Sequence, residues 1–193
     1  MIKVENSVVL PESTDKTKRL QDRVRLLFVG RLSKVKGVDK ILRAVASMEN
    51  TQLTVEGNGE EKENLLALTQ ELQLQNRVHF TGAVDSAAVS ALMKRNDILV
   101  MNSTVEGKPM TIVEALSHGL PVVATPEGGI PEMVTDGQKA IFTDGTEQKM
   151  TNVVHSIESH YQKYSAESLM RGENFDYRHV NEYIYRKLSE FYN

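Results

Sequence analysis

Short apolar runs ending at glycine or polar residues alternate with stretches of helical spacing along most of this 193-residue chain. That alternation leaves few folds open. Residues 24–29, 53–55, 78–80, 97–101 and 122–124 are apolar runs of strand length, with 140–142 as a further one. Between them, Val38, Ile41, Leu42 and Val45 recur at helical spacing. Leu65, Leu66, Leu68 and Leu72 mark the inner side of a helix over 60–74, and Asp85 stands as the N-cap of a helix carrying Val89, Leu92 and Met93. Apolar strands joined by helices through short loops make a parallel sheet covered on both faces. The pattern predicts an α/β, doubly wound parallel sheet over 23–145. Beyond it, 146–193 read as consecutive helices punctuated near Gly172 and Asp176, the last carrying Val180, Tyr183, Ile184, Leu188 and Phe191. Residues 1–22 read as a linker, with a short strand or extended segment at Val8-Val9-Leu10-Pro11 and a polar stretch after it.

Composition narrows the function classes. A net charge of -3 gives no footprint for nucleic acid. The absence of cysteine excludes disulfides and thiolate chemistry. No stretch reaches the length of a membrane span, and the first residues lack a signal-peptide pattern, so a cytoplasmic protein is expected.

Two carboxylates stand out, in Glu106-Gly107-Lys108-Pro109-Met110-Thr111-Ile112-Val113-Glu114. The run 97–101 reads as a buried strand, and Ile112, Val113, Ala115 and Leu116 as the inner stripe of the next helix. Glu106 then lies on the loop at a strand's carboxyl end and Glu114 in the first turns of the helix. Ligands bind there in open α/β sheets. Ionised carboxylates only accept hydrogen bonds, so the pair suits a hydroxyl-rich ligand.

A second element follows the first strand: Gly30-Arg31-Leu32-Ser33-Lys34-Val35-Lys36-Gly37. Arg31 and Lys36 flank a helix N-terminus, an arrangement suited to phosphate. On the residues alone, two solvated cations account for it equally well. It is neither a Walker loop nor a dinucleotide fingerprint. Gly57-Asn58-Gly59-Glu60 is a tight strand-to-helix turn, and Phe80-Thr81-Gly82-Ala83-Val84 ends the third strand. Gly119-Leu120-Pro121-Val122-Val123-Ala124-Thr125 is followed by Gly128-Gly129-Ile130-Pro131-Glu132.

Together these motifs closely resemble, over about 24–145, the donor-binding half of the group 1 (family-four) retaining glycosyltransferases. Those enzymes have the GT-B fold, two Rossmann-like domains facing across a cleft. The resemblance implies the C-terminal domain, with the N-terminal acceptor-binding domain absent from this chain and 1–22 a remnant of the interdomain crossover. It implies that Arg31 and Lys36 hold the donor diphosphate, with Lys34 a substitute for Lys36. Glu106 and the backbone from Gly107 through Lys108, Pro109 and Met110 to Thr111 would hold the sugar, Glu114 the ribose, and the backbone at Val84 the base. Glu106, Arg31 and Lys36 are the residues it assigns to catalysis. The pattern departs from the family at Lys108-Pro109-Met110, Asn58 and Ala83.

The donor implied is a nucleotide-sugar, a UDP-sugar first, with GDP- and ADP-sugars as alternatives. No metal is required, because no Asp-x-Asp is present and the histidines are scattered. The implied partners are the N-terminal domain and an acceptor glycan or lipid-linked sugar, with the full-length enzyme peripheral at the inner face of a membrane. The isolated domain is expected to be inactive alone. The rival readings are a non-catalytic nucleotide-binding or interaction module and an NAD(P)-dependent Rossmann oxidoreductase.

Overall fold

The computed structural model describes residues 7–8, 20, 23–134 and 143–192, with the side chains of 190–192 excepted. Its centre is a five-stranded parallel sheet of order β3-β2-β1-β4-β5. The strands are β1 (Val24–Val29), β2 (Thr51–Glu56), β3 (Val78–Gly82), β4 (Ile98–Val100) and β5 (Val122–Val123). The chain winds outward from β1 through β2 to β3, then returns to the other side of β1 for β4 and β5. The strand order therefore reverses between β1 and β4, and the crevice at their carboxyl ends is the place where ligands bind in such sheets.

Side-chain alternation along β1 builds the two faces. Leu26 and Phe28 join one buried cluster with Leu53 and Val55 of β2, under α1 (Val38–Ala46), α2 (Lys62–Glu71) and, beyond the sheet, α6 (Glu147–Ser159). Leu27 joins the other cluster with Leu99, under α3 (Ser86–Arg95), α4 (Met110–Ser117) and α5 (Ile130–Met133). At the amino end of the seam the buried Asp97 carboxylate takes two hydrogen bonds of 2.9 Å from the Arg25 guanidinium. It takes a third from the Arg25 backbone N–H.

Asp85 caps α3 as its position predicts, accepting from the Ala88 N–H at 2.8 Å. On α2 the buried residues are Leu65 and Thr69, whose hydroxyl donates to the Leu65 carbonyl, while Leu66 is half-buried. The helical tail is punctuated near Gly172 and Asp176 as expected, where α7 (Tyr161–Glu173) ends and α8 (Tyr177–Tyr192) begins, and has one break more. That one is at His160, between α6 and α7. Gly172 stands in the last turn of α7, one residue before its end. It lies buried inside α7, where an added Cβ would stand 2.8 Å from the backbone of Leu116 on α4. Val8 forms a bridge beside Asp176, donating to the Phe175 carbonyl and accepting from the Tyr177 N–H. Among the described side chains of α8 only Val180 is buried, while Tyr183, Tyr185 and Leu188 are exposed. The strand expected at 140–142, most of the 1–22 segment and the Phe191 side chain lie outside the described residues.

In a free helix, glycine to alanine stabilises by roughly 1 kcal/mol. At Gly172 the sign reverses, because helix backbones touch there. Gly172→Ala is expected to destabilise the fold by about 1–3 kcal/mol, read as a lowered urea midpoint at unchanged slope.

Candidate functional site

The β1–α1 and β4–α4 loops meet across the switch point. After β1 the chain makes a single 3₁₀ turn at Lys34–Lys36 and enters α1 through Gly37. Gly37 is left-handed (φ 62°), and a Cβ on it would lie 2.3 Å from the Asn102 carbonyl oxygen, so only glycine lets the two loops touch. That contact brings Lys36 to Glu106. The Lys36 Nζ is 2.6 Å from Glu106 Oε1, which also accepts from the Ser103 hydroxyl at 2.7 Å. The Glu106 side chain is 6% exposed and that of Lys36 24%. This is a shielded, hydrogen-bonded ion pair, and the ammonium keeps donors to spare for a ligand.

Glu106 is also held from behind. Gly128 is left-handed (φ 55°), and a Cβ there would come within 1.9 Å of the Glu106 carbonyl oxygen. The Gly129 N–H donates to the Gly107 carbonyl at 2.8 Å. The Gly-Gly turn is therefore the back wall of the Glu106 loop. On the other side, a Cβ added at Gly107 would meet no atom within 4 Å, so this stretch of loop faces the open crevice. Lys108 turns to Glu132 at 3.0 Å. Pro109 is the N-cap of α4 and precedes its first turn, where no side chain caps the helix. Met110 is exposed and Thr111 half-buried. The positive end of α4 thus points at the crevice beside Glu106.

The other predicted residues lie further out. Arg31 is not brought to Glu106; it pairs with Glu60 on the β2–α2 loop at 3.2 Å, with its side chain 73% exposed. An exposed pair of this kind is weak, so the guanidinium is free to exchange Glu60 for another anion. Gly57 and Gly59 serve packing, since a Cβ on either would run into the backbone of Gly30 or Leu32.

Glu114 sits one turn into α4, half-buried, away from the Lys36–Glu106 pair. It lines a cavity of about 440 Å³ with Ser86, Val89, Ser90, Met93, His118 and Val8. Burial pushes the Glu114 carboxyl above the usual range, and the charge of Glu56 adds to the effect. Below it, His118 Nδ1 lies 2.8 Å from the Glu114 carbonyl and Nε2 lies 2.9 Å from the Ser90 hydroxyl. A carbonyl only accepts, so in the neutral ring Nδ1 carries the proton and Ser90 donates to Nε2. Val84 is exposed, and its N–H donates to Glu56 Oε1 at 3.1 Å.

Sequence reasoning missed Glu56, Ser103 and His118. For Glu56 a signal existed: an acid closing an apolar strand just before a glycine turn. Among the described residues no three metal-ligating side chains cluster, and no helix is long and apolar enough to cross a membrane.

The family model described as "Glycosyl transferases group 1" matches residues 11–168. An uncharacterized glycosyltransferase of Methanocaldococcus jannaschii is 32% identical over 147 residues, 73% of this chain and 37% of its own. The crystal structure of Anabaena HepE in complex with UDP matches with a TM-score of 0.77 at 28% identity, over 88% of this chain and 49% of that one. The chain thus spans less than half the length of either relative. It also shares its fold with the C-terminal domain of a glycosyl transferase group 1 family protein from Francisella tularensis (TM-score 0.66, 20% identity, 77% of this chain and 83% of that one).

The raised Glu114 carboxyl has a consequence for stability. A carboxyl whose native affinity for protons exceeds its unfolded one stabilises most at low pH, where it is protonated, and loses that contribution as pH rises through its native value. Above that range the charge is a burden. Glu114→Gln is expected to raise the melting temperature at pH 7 by about 1–3 °C, with the gain fading toward pH 4, as followed by thermal unfolding across pH.

Proposed function

The chain belongs to the group 1 glycosyltransferases, and from that premise we propose that its crevice is the nucleotide-sugar donor site of a retaining sugar-transferring enzyme. The observation that carries this reading is the Lys36–Glu106 pair, set at the sheet's switch point beside the uncapped start of α4. A nucleoside diphosphate-sugar asks for three things in sequence: acceptors for sugar hydroxyls, positive charge for the diphosphate, and acceptors for ribose. Glu106 supplies the first through its second carboxylate oxygen, while the N–H groups of the Gly107–Thr111 stretch other than Pro109 donate to sugar oxygens. Lys36, the α4 N-terminus and a reoriented Arg31 supply the second. Glu114 supplies the third.

In this reading catalysis is positioning and charge stabilisation. The sugar–phosphate bond breaks while negative charge builds on the departing diphosphate. Lys36 and the helix N-terminus are already in place to meet that charge, and Glu106 keeps the sugar oriented. Lys36 is itself kept in place by Glu106, so the two act as one unit. The protein needs no metal for this step, since the positive charge comes from the chain. The UDP bound in HepE supports a UDP-sugar as the donor. The acceptor, a glycan or lipid-linked sugar, would be presented by the N-terminal half of the intact enzyme, so this chain alone would bind nucleotide and transfer nothing.

Calorimetric titration with UDP, GDP and ADP, without metal, tests the site. We expect at least one nucleotide to bind, and Lys36→Ala to weaken it by roughly 10–100-fold, the worth of a charge-assisted hydrogen bond. Arg31→Ala should cost less, because Arg31 must first leave Glu60. Equal affinity in the wild type and Lys36→Ala would sink the assignment.

A further inference from the structure

A side-chain bond joins α3 to the end of α4 at the wall of the cavity beside Glu114. Serine inside a helix ordinarily turns its hydroxyl back onto the carbonyl four residues earlier, as Ser117 does to Val113 and Ser189 to Tyr185. Ser90 of α3 instead reaches the His118 Nε2 at 2.9 Å. The ring is held from its other side as well, since Nδ1 meets the Glu114 carbonyl at 2.8 Å. That carbonyl takes only a donor, so the neutral imidazole turns its lone pair to Ser90, and the Ser90 proton is committed there. What the Ser90 oxygen has left to offer is lone pairs. Ser90, His118 and Glu114 all line the one cavity of about 440 Å³. Glu114 and His118 stand one turn apart on one side of it, and Ser86 and Ser90 one turn apart on the other. The cavity thus carries an acceptor on each wall, the Glu114 carboxylate on α4 and the Ser90 oxygen on α3.

We propose that Ser90, oriented by His118, is a further ribose-reading group, accepting from one hydroxyl of the nucleotide ribose while Glu114 accepts from the other. The inference rests on the donor-site reading above. A vicinal diol brings two donors, and two acceptors facing each other across a cavity answer both. A serine with a free proton serves as donor or acceptor alike and selects little. His118 removes that choice by taking the proton, so the Ser90 oxygen meets the ligand as an acceptor alone. A site built to hydrogen-bond a substrate hydroxyl discriminates against the analogue that lacks it. Ser90 is therefore a specificity-determining residue, selecting ribonucleotides over deoxyribonucleotides, and His118, which acts through it, is a positioning residue.

The test compares whichever of UDP, GDP or ADP binds with its 2′-deoxy and 3′-deoxy analogues, using the whole chain and its Ser90→Ala, Ser90→Thr and His118→Phe variants. The wild type should prefer the ribonucleotide by roughly 3–10-fold at the hydroxyl read by Ser90, the worth of one neutral hydrogen bond. At the hydroxyl read by Glu114 the preference should be larger, because that bond is charge-assisted. Ser90→Ala should abolish the first preference and keep the second, with affinity for the matching deoxy analogue unchanged. Ser90→Thr retains the hydroxyl and should keep both. His118→Phe releases the Ser90 proton and should reduce the first preference alone. Should Ser90→Ala fail to fold, Ser90→Cys carries the same expectation, since sulfur is a weak acceptor in nearly the same space. A bond that only ties the helices together would weaken ribonucleotide and analogue alike. Both ratios unchanged in the folded Ser90→Ala or Ser90→Cys variant would therefore overturn the proposal, as would a wild type indifferent to either hydroxyl. If none of the three nucleotides binds, the donor-site reading itself fails and takes this one with it; binding with unchanged ratios removes this one alone.

Discussion

The bonds between Arg25 and Asp97 fix the seam on which the whole crevice is built. β4 is three residues long and buried on both faces, so its apolar side chains would fit β1 almost equally well one residue out of place. Such a slip would exchange the faces of the strand and misalign every loop beyond it. Asp97 forbids it. Its carboxylate holds the Arg25 side chain and backbone N–H, and its own N–H returns a bond of 2.7 Å to the Arg25 carbonyl. Buried ion pairs contribute little net stability, but removing one partner is expensive. Their value here is register: with Arg25 and Asp97 opposed at one end of the seam, Lys36 and Glu106 are brought together at the other.

The carboxyl end depends on backbone contact as much as on side chains. The β1 loop touches the β2 loop where a Cβ on Gly57 would strike the Gly30 carbonyl, and touches the β4 loop at Gly37 and Asn102. The Glu106 loop rests in turn on Gly128. The glycines set the distances between neighbouring loops, which is why a lysine and a glutamate seventy residues apart close to 2.6 Å.

This also explains what the sequence could and could not disclose. The strands, the helices over 38–48 and 110–118, and the Asp85 cap were legible, because periodicity and capping are local. So was the placement of Glu106 and Glu114 about the start of α4. The partners of charged groups were not legible: Arg31 to Glu60 and Glu56 to Val84 are contacts between loops that only the assembled sheet brings together. The break near Gly172 was legible, but not the second role of that glycine, which lets α7 lie against α4. His160 ends α6 without glycine or proline, leaving no local signal.

The two ends of the crevice have opposite electrostatic characters. At one, Glu106 is neutralised by Lys36 and braced by Ser103, so its orientation is settled before any ligand arrives. At the other, burial raises the proton affinity of Glu114 and the charge of Glu56 adds to the effect. A fold selected for stability alone would remove that second arrangement, since an apolar or amide side chain costs less in the same space. Its presence follows if a hydrogen-bond donor comes from outside. A diphosphate needs fixed positive charge, which a preorganised lysine and a helix N-terminus provide at little cost in reorganisation. A sugar diol needs acceptors that nothing else has filled. In the donor-site reading, Glu114 carries the cost of a half-buried acid when the site is empty, and a ligand hydroxyl donating to it would offset that cost.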